Sequence, residues 1–375
     1  MKDKIGFVCV GQAAGNIGDL LAEKGYDVFA INTSQEDIAT LKFVKHTYHI
    51  PGGLGCSKDR DTAKKKLAEC LDDITNQLDT YITEDIIYFI FSAGGGTGSG
   101  FSPYFIDILI NDVFVEEDED GELYPTKTIG VITILPADKE SPQARENGYN
   151  CIKEISEIDG LANVFILDNE GQPKLEAVNK IFVDYLDSVL MIPSRHKSTK
   201  GNVDISEIKK GFSTPGISII ARVNSSKATM SDIVNRLKNN VFAQQDLDTD
   251  KKAMSYVISS TVNPLDYKTI VAEFGQYVDE FHTFNQDTNI VMLTGLPYPT
   301  VRIKGIEERL IKDAQELKNR AARIEDTGIK DELNLLGSAK AAPKRRKPVA
   351  TATTENAPAK KVSRRDQLLA KMNKR

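Results

Sequence analysis

Through the first 170 residues, short apolar runs alternate with longer stretches in which apolar positions recur every third or fourth residue. The runs at 5–10, 28–31, 47–50, 86–91, 129–135 and 164–167 predict strands, each followed by Gly, Asn, Asp, Pro or Ser. Between them, 61–78 and 141–158 predict amphipathic helices. Strands that alternate with helices in this way build a parallel sheet covered on both faces, so the expected fold class is α/β, Rossmann-like. The acidic stretch 116–122 reads as a solvated loop, because like charges repel and nothing nearby is placed to pair with them.

A long helical pattern follows over 174–192 and is closed by Pro193. A polar stretch, 194–201, then leads into NVDISEIKKGF. Beyond Pro215 a second set of strand-like runs at 217–223, 255–262 and 289–294, with a helix near 230–239, predicts a smaller α/β domain. The expected organisation is a nucleotide domain over 1–173, a central helix over 174–193 and a loop and helix over 194–213. It continues with a second domain over 214–302, a highly charged helix over 303–337 and a disordered tail over 338–375. The tail is rich in Ala, Pro, Thr and Lys, a composition that buries too little apolar surface to fold alone. Its last residues, SRRDQLLAKMNKR, match a short basic amphipathic helix that would form on binding. No internal repeat is present.

Charge changes this picture more than composition does. With 375 residues, 40% of them hydrophobic, the chain is large enough for a substantial core, which excludes a mainly disordered protein. The formal charge of −6 hides an asymmetry, because 338–375 carries 12 Lys/Arg against 2 Asp/Glu and the rest is net −16. An acidic body repels nucleic acid while a basic appendage seeks polyanions. The four cysteines are scattered without a CxxC pair and the four histidines are dispersed, so neither a disulfide framework nor a zinc site is indicated. This cysteine usage, the absence of a cleavable apolar leader and the lack of any stretch approaching ~20 apolar residues point to the cytoplasm and against membrane insertion.

The most informative segment is FSAGGGTGSGF at 91–101, between a strand and a helical pattern. Glycines permit positive φ and close approach of the backbone, and successive N–H groups at a helix start aim at anionic oxygens with the dipole behind them. Thr97 and Ser99 add hydroxyls. Five of the seven residues from Gly94 to Gly100 are glycine, where a tight turn needs one or two. A second loop, VGQAAGNIG, follows the first strand, and a third, IPGGLGCSKD, follows the third strand. Three such loops at the carboxyl ends of parallel strands converge on the ligand crevice of a doubly wound sheet. No loop carries the Gly-Lys-Ser/Thr of a P-loop NTPase. A dinucleotide-binding dehydrogenase is also disfavoured, because GQAAGNIG lacks the GxGxxG spacing and the second strand ends in Ile31-Asn32-Thr33 without an acid.

The run GGGTGSG at 94–100 resembles the signature of the tubulin/FtsZ GTPase superfamily, and the resemblance continues in order over about the first 310 residues. It implies GTP or GDP contacts from Gly94, Gly95, Gly96, Thr97, Gly98 and Ser99. GQAAGNIG looks like the family's first nucleotide loop, with Gly11, Gln12, Ala13 and Asn16. INTSQED looks like its second, placing Asn32 on the ribose or phosphate side. PGGLGCSKD is similar to the third, γ-phosphate-sensing loop, with Gly53, Leu54 and Gly55. ILPADKESPQAR takes the ribose-loop position, where Glu140 and Arg145 are the counterparts, with spacing one residue away from the FtsZ form. LDNE puts Asn169 on the guanine edge, Asn179 in the long helix is the other guanine contact, and Leu175 replaces an aromatic that usually stacks on the base.

In the same family the segment at Asn202, Asp204 and Glu207 supplies catalytic groups to the nucleotide of the next subunit. Alone, an Asp and a Glu three apart at a helix start read as an ordinary N-cap; with the nucleotide loops they read as a pair able to orient a water at the γ-phosphate. The resemblance therefore implies a GTPase that polymerises head to tail, with Mg²⁺ held by phosphates and water because no side-chain ligand set stands out. The basic end is similar to that of the TubZ-type segregation tubulins, whose tail engages a DNA-bound adaptor. Lys344–Lys347, Lys360, Lys361, Arg364, Arg365, Lys371, Lys374 and Arg375 would meet DNA phosphates or an acidic adaptor, and the tail has no aromatic residue for base stacking. The alternative is an FtsZ-like or phage-positioning structural filament not dedicated to DNA segregation.

Overall fold

The computed structural model describes residues 1–326 apart from 54, 122, 196–200, 247–252 and 285, the last six of them as backbone only. Leu54, the expected end of the charged helix and the basic tail lie outside the described residues. Twelve strands and eleven α-helices are described. In the first half they run β1 (Ile5–Val10), α1 (Gln12–Glu23), β2 (Asp27–Asn32), α2 (Gln35–Ala39), β3 (His46–His49), α3 (Arg60–Tyr81), β4 (Ile86–Ser92) and α4 (Thr97–Ile108). Then come β5 (Val115–Glu117), β6 (Leu123–Pro125), β7 (Thr128–Leu135), α5 (Pro142–Ser156), β8 (Asn163–Asp168), α6 (Leu175–Leu190), α7 (Ile192–Arg195) and α8 (Ile205–Ser213). The remainder is β9 (Gly216–Val223), α9 (Met230–Lys238), β10 (Tyr256–Ser260), α10 (Tyr267–Phe274), β11 (Asp279–Thr283), β12 (Asn289–Leu296) and α11 (Thr300–Asp326).

Ten strands form one sheet in the order β11-β10-β12-β9-β8-β7-β4-β1-β2-β3. From β3 through β9 every neighbouring pair is parallel. β1, β4 and β8 are buried almost along their whole length, as strands covered on both faces must be, which is why they read as continuous apolar runs. The expected α/β class holds. The order also reverses between β1 and β4, since β1 leads to β2 on one side and β4 leads to β7 on the other, and such a switch point opens a crevice at the carboxyl ends.

The strands of the expected second domain extend this same sheet. The junction is thin, with β9 meeting β8 only at Asn163↔Gly216 and Val164↔Ile217. Two features departed from the sequence reading. The acidic stretch is exposed as expected, but it forms the tip of a hairpin, with β5 and β6 antiparallel and the Tyr124 hydroxyl donating to Glu116 at 2.8 Å. The edge strand β11 was not foreseen because DEFHT has no apolar alternation; pairing with β10 and the stacking of Phe281 on Tyr256, 5.6 Å between centroids, hold it.

An aromatic cluster fixes the position of α8. Phe212 packs on Tyr88 of β4 and Phe165 of β8 at 5.8 and 6.0 Å between centroids, and the Tyr88 hydroxyl donates to the Phe212 carbonyl at 3.1 Å. Asn163 and Thr294 both donate to the Gly211 carbonyl at 3.2 Å, adding two side-chain donors to the Thr214 N–H that this carbonyl accepts at the end of α8. Two fully buried rings and two side-chain donors leave the helix one place to sit.

Candidate functional site

At the carboxyl edge of the sheet, the loops after β1, β2, β3, β4 and β7 line a cleft of about 320 Å³ at the switch point. Its walls include Gly11, Gln12 and Ala13 from the first loop, Asn32, Thr33 and Ser34 from the second, Gly55, Cys56 and Lys58 from the third, Gly94–Gly98 from the fourth and Glu140 from the ribose-loop segment. The N-terminus of α4 opens into it with no side-chain cap, so its first N–H groups keep their hydrogen-bonding capacity and the positive end of the dipole. The Thr97 hydroxyl lies 2.9 Å from that of Thr33, which ties the fourth loop to the end of β2.

The glycines work differently from the expectation of positive φ throughout. Gly11 and Gly55 are left-handed, at φ 87° and 83°, but those of 94–100 are not. Gly96 and Gly98 are required by close approach: a Cβ on Gly96 would stand 2.8 Å from the Lys58 Cα, and one on Gly98 would stand 2.8 Å from the Val10 carbonyl oxygen. The run is therefore a packing surface on which the first and third loops rest, and Gly95 alone among its first three is open, with nothing nearer than 3.8 Å.

Several expected contacts sit elsewhere. Ser99 is buried and its hydroxyl donates to the Gly95 carbonyl at 2.5 Å, so it braces the loop from behind. Arg145 is buried too, donating to the carbonyls of Asp138 and Glu140 and pairing with Asp313 of α11, and it does not line the cleft. Gly53 lies under the third loop, where a Cβ would meet the Thr33 carbonyl oxygen at 2.5 Å. Glu140 lines the cleft, its carboxylate accepting from the Ala137 N–H at 2.9 Å and from the Asn169 amide at 3.2 Å. The Asn32 amide donates to Asp37 at 3.1 Å. Asn16, Leu175 and Asn179 lie toward the N-terminal ends of α1 and α6, which run alongside in parallel, as the Lys24–Asp184 pair at 3.0 Å and the Tyr26–Asp187 hydrogen bond at 2.9 Å show further down. Thr33, Ser34, Asp37, Cys56, Lys58 and Ser92 line the cleft without having been foreseen. Only the SKD that ends the third glycine loop hinted at Lys58.

Asn202, Asp204 and Glu207 are on the opposite edge of the sheet. They precede or begin α8, whose Lys209 pairs at 2.7 Å with Asp85, the residue before β4, and Asn202 and Asp204 line a separate cavity with Met1. The six residues of β1 alone put about 20 Å between this edge and the cleft. Asp204 and Glu207 make a capping box: Asp204 accepts from the Glu207 N–H at 3.0 Å and Glu207 accepts from the Asp204 N–H at 2.8 Å. The Glu207 N–H, with the Ser206 hydroxyl at 2.7 Å, holds the Asp204 carboxyl below the usual carboxylate range and so ionised at neutral pH. Among the described residues no group of three His, Cys, Asp or Glu is placed to hold a metal, and no helix is long and apolar enough to cross a membrane.

Known proteins share the fold. The Tubulin/FtsZ family, GTPase domain, matches residues 4–172. The chain is 28% identical over 345 residues to the tubulin-like protein TubZ of Clostridium botulinum C phage, spanning 89% of this chain and 92% of that one. The crystal structure of Clostridium botulinum phage c-st TubZ superposes with a TM-score of 0.74 at 26% identity, over 84% of this chain and 100% of that one. GDP-form protofilaments of Bacillus thuringiensis serovar israelensis TubZ share the fold at 17% identity and a TM-score of 0.66, over 86% of this chain and 94% of that one. Residues 4–172 therefore belong to the tubulin/FtsZ GTPase-domain family, and the chain around them has the tubulin/FtsZ fold.

Proposed function

We propose that this protein binds GTP in the cleft, polymerises head to tail and hydrolyses GTP where two copies meet. The observation that carries the reading is the separation of the phosphate cradle from Asp204 and Glu207 by the height of the sheet. A chain cannot bring its own carboxylates to its own cleft, whereas a second copy stacked on the first brings the amino edge of one sheet to the carboxyl edge of the next. Such a contact is heterologous and does not close, so it propagates a filament. The relative solved as GDP-form protofilaments supports both the nucleotide and the mode of assembly.

In this reading the uncapped N-terminus of α4, Gly95, Thr97 and the Gly11–Ala13 segment hold the phosphates. Glu140 faces the ribose, and Asn169 with Asn179 meets the guanine edge above Leu175. Mg²⁺ would neutralise phosphate charge, carried by the phosphates and water, since the Asp37 and Glu140 carboxylates in the cleft are already engaged. Asp204 and Glu207 of the next copy orient and polarise the attacking water. Measuring hydrolysis per molecule against protein concentration, with light scattering on the same samples, tests this: both are expected to rise sharply above one critical concentration. A specific rate that is constant from the lowest concentration would mean a self-sufficient site and end the reading.

The likeness to TubZ and the basic tail support a role in segregating plasmid or phage DNA through an adaptor. Removal of 338–375 is expected to leave assembly intact and to abolish salt-sensitive capture of DNA or of an adaptor–DNA complex. Loss of assembly together with capture would instead assign the tail to the polymer itself, as in a structural filament.

A further inference from the structure

Asn147 of α5 is 2% exposed and is not among the residues that line the cleft. Its Nδ2 donates at 2.9 Å to two backbone carbonyls, that of Lys58 in the third loop and that of Gly95 in the phosphate loop, and lies 3.5 Å from the Gly94 carbonyl. Its Oδ1 accepts from the Gln143 side chain at 3.1 Å, one turn earlier on α5. Carbonyls can only accept, so these neighbours admit one orientation of the amide. Gly94 lets the phosphate loop lie against α5, where a Cβ would stand 3.2 Å from the Ala144 carbonyl oxygen.

The Gly95 carbonyl is the decisive acceptor. It also accepts from the Ser99 hydroxyl at 2.5 Å, one turn along α4, so it points along that helix and away from the cleft. The Gly95–Gly96 peptide is trans and planar, so the Gly96 N–H points the opposite way, beyond the N-terminus of α4 and into the cleft. With no side chain on either residue, little that is local prevents this peptide from turning over, and the turned form would aim a carbonyl oxygen at a bound anion. We infer that Asn147 is a positioning residue: it holds the Gly95–Gly96 peptide with its N–H toward the cleft, and so preorganises a donor for the diphosphate that GTP and GDP share. The bond to the Lys58 carbonyl ties the third loop to the same amide. This rests on the GTP reading above and adds to it the buried side chain that keeps the phosphate loop in its binding form.

The test measures GDP and GTPγS affinity by titration calorimetry at protein concentrations below assembly, using the full chain, Asn147→Leu, Asn147→Asp and Ser99→Ala, each with its melting temperature. Leu and Asp keep the branched shape of Asn, but Leu has no polar atom and an ionised Asp has no donor. Each is expected to lose roughly tenfold or more in affinity for both nucleotides alike, because the peptide serves the phosphates they share. Ser99→Ala removes the other donor to the same carbonyl and should cost less than about threefold alone, whereas combined with Asn147→Leu it should cost more than the product of the two single losses. A merely structural asparagine would lower the melting temperature and leave the affinity of the folded protein within about threefold of the parent. That result in Asn147→Leu, or in Asn147→Asp should the Leu variant not fold, overturns the inference and leaves the GTP reading standing. A loss confined to GTPγS overturns it as well. Failure of the parent to bind either nucleotide overturns the GTP reading, and this inference with it.

Discussion

Replacing Glu207 by Gln is expected to leave GTP binding and filament assembly intact while slowing hydrolysis by about 10²–10⁴-fold, the usual contribution of a positioned general base. The choice of Gln matters because Glu207 has two roles. In the single chain it closes the capping box by accepting from the Asp204 N–H at 2.8 Å, and a Gln side-chain oxygen can accept that bond as well. Asn likewise replaces Asp204 as an N-cap at little cost, so Asp204→Asn keeps α8 while removing its charge. A purely structural pair would leave turnover near the parental rate in both variants, which would refute the proposed catalysis in trans. Acid denaturation separates the capping role independently. The folded Asp204 carboxyl titrates below its unfolded value, so its stabilisation is present above the unfolded pKa and is lost as the pH falls through the folded one. The parent's advantage over Asp204→Asn should therefore begin to shrink below about pH 4 and vanish once the pH is under the folded value, whatever happens to hydrolysis.

Replacing Arg302 by Met is expected to destabilise the fold by about 3–5 kcal/mol, because it strands a carboxylate that is largely removed from water. Arg302 of α11 donates to both oxygens of Asp168, at 2.7 and 3.2 Å, to Asp138 at 3.2 Å and to the Pro136 carbonyl at 2.9 Å. Burial works against its charge, but the pairing with Asp168, together with the charges of Asp138 and Glu170, outweighs it and holds the guanidinium above its usual range. These partners begin and continue the loop after β7 and end β8, so the long helix is clamped behind Glu140 and Asn169. Chemical denaturation of Arg302→Met, Asp168→Asn and the double variant forms a cycle that isolates the pair. Recovery of at least half the loss in the double variant is expected. A loss under about 1 kcal/mol in the single variant would place the pair with ordinary exposed salt bridges and remove the clamp.

The cradle was legible in the sequence because its information is local. Five glycines in seven residues at the end of an apolar run specify a loop that packs tightly and opens a helix, and Gly11, Thr97 and Gly95 stand where that logic puts them. What the glycines do could not be read locally. Whether Gly98 is needed for φ or for the 2.8 Å approach of the Val10 carbonyl depends on a strand far away in the chain. Arg145 shows the same limit: residues 168 positions apart decide that its guanidinium pairs with Asp313.

The α/β class, the strands β1, β4, β7 and β8 and the asymmetry between an acidic body and a basic end were determined by the sequence itself, because periodicity, turn residues and charge act over a few neighbours. The polar edge strand β11 and the hairpin in the acidic stretch exist only through pairing and ring contacts, and no local pattern announced them. The most consequential decision was also tertiary. Asp204 and Glu207 lie at the edge remote from the cleft because Phe212 packs against Tyr88 and Lys209 reaches Asp85 across 124 residues of chain. Local chemistry supplied a capping box and a phosphate cradle. Strand pairing and core packing set them on opposite edges, and for that geometric reason the proposed reaction needs two copies of the chain.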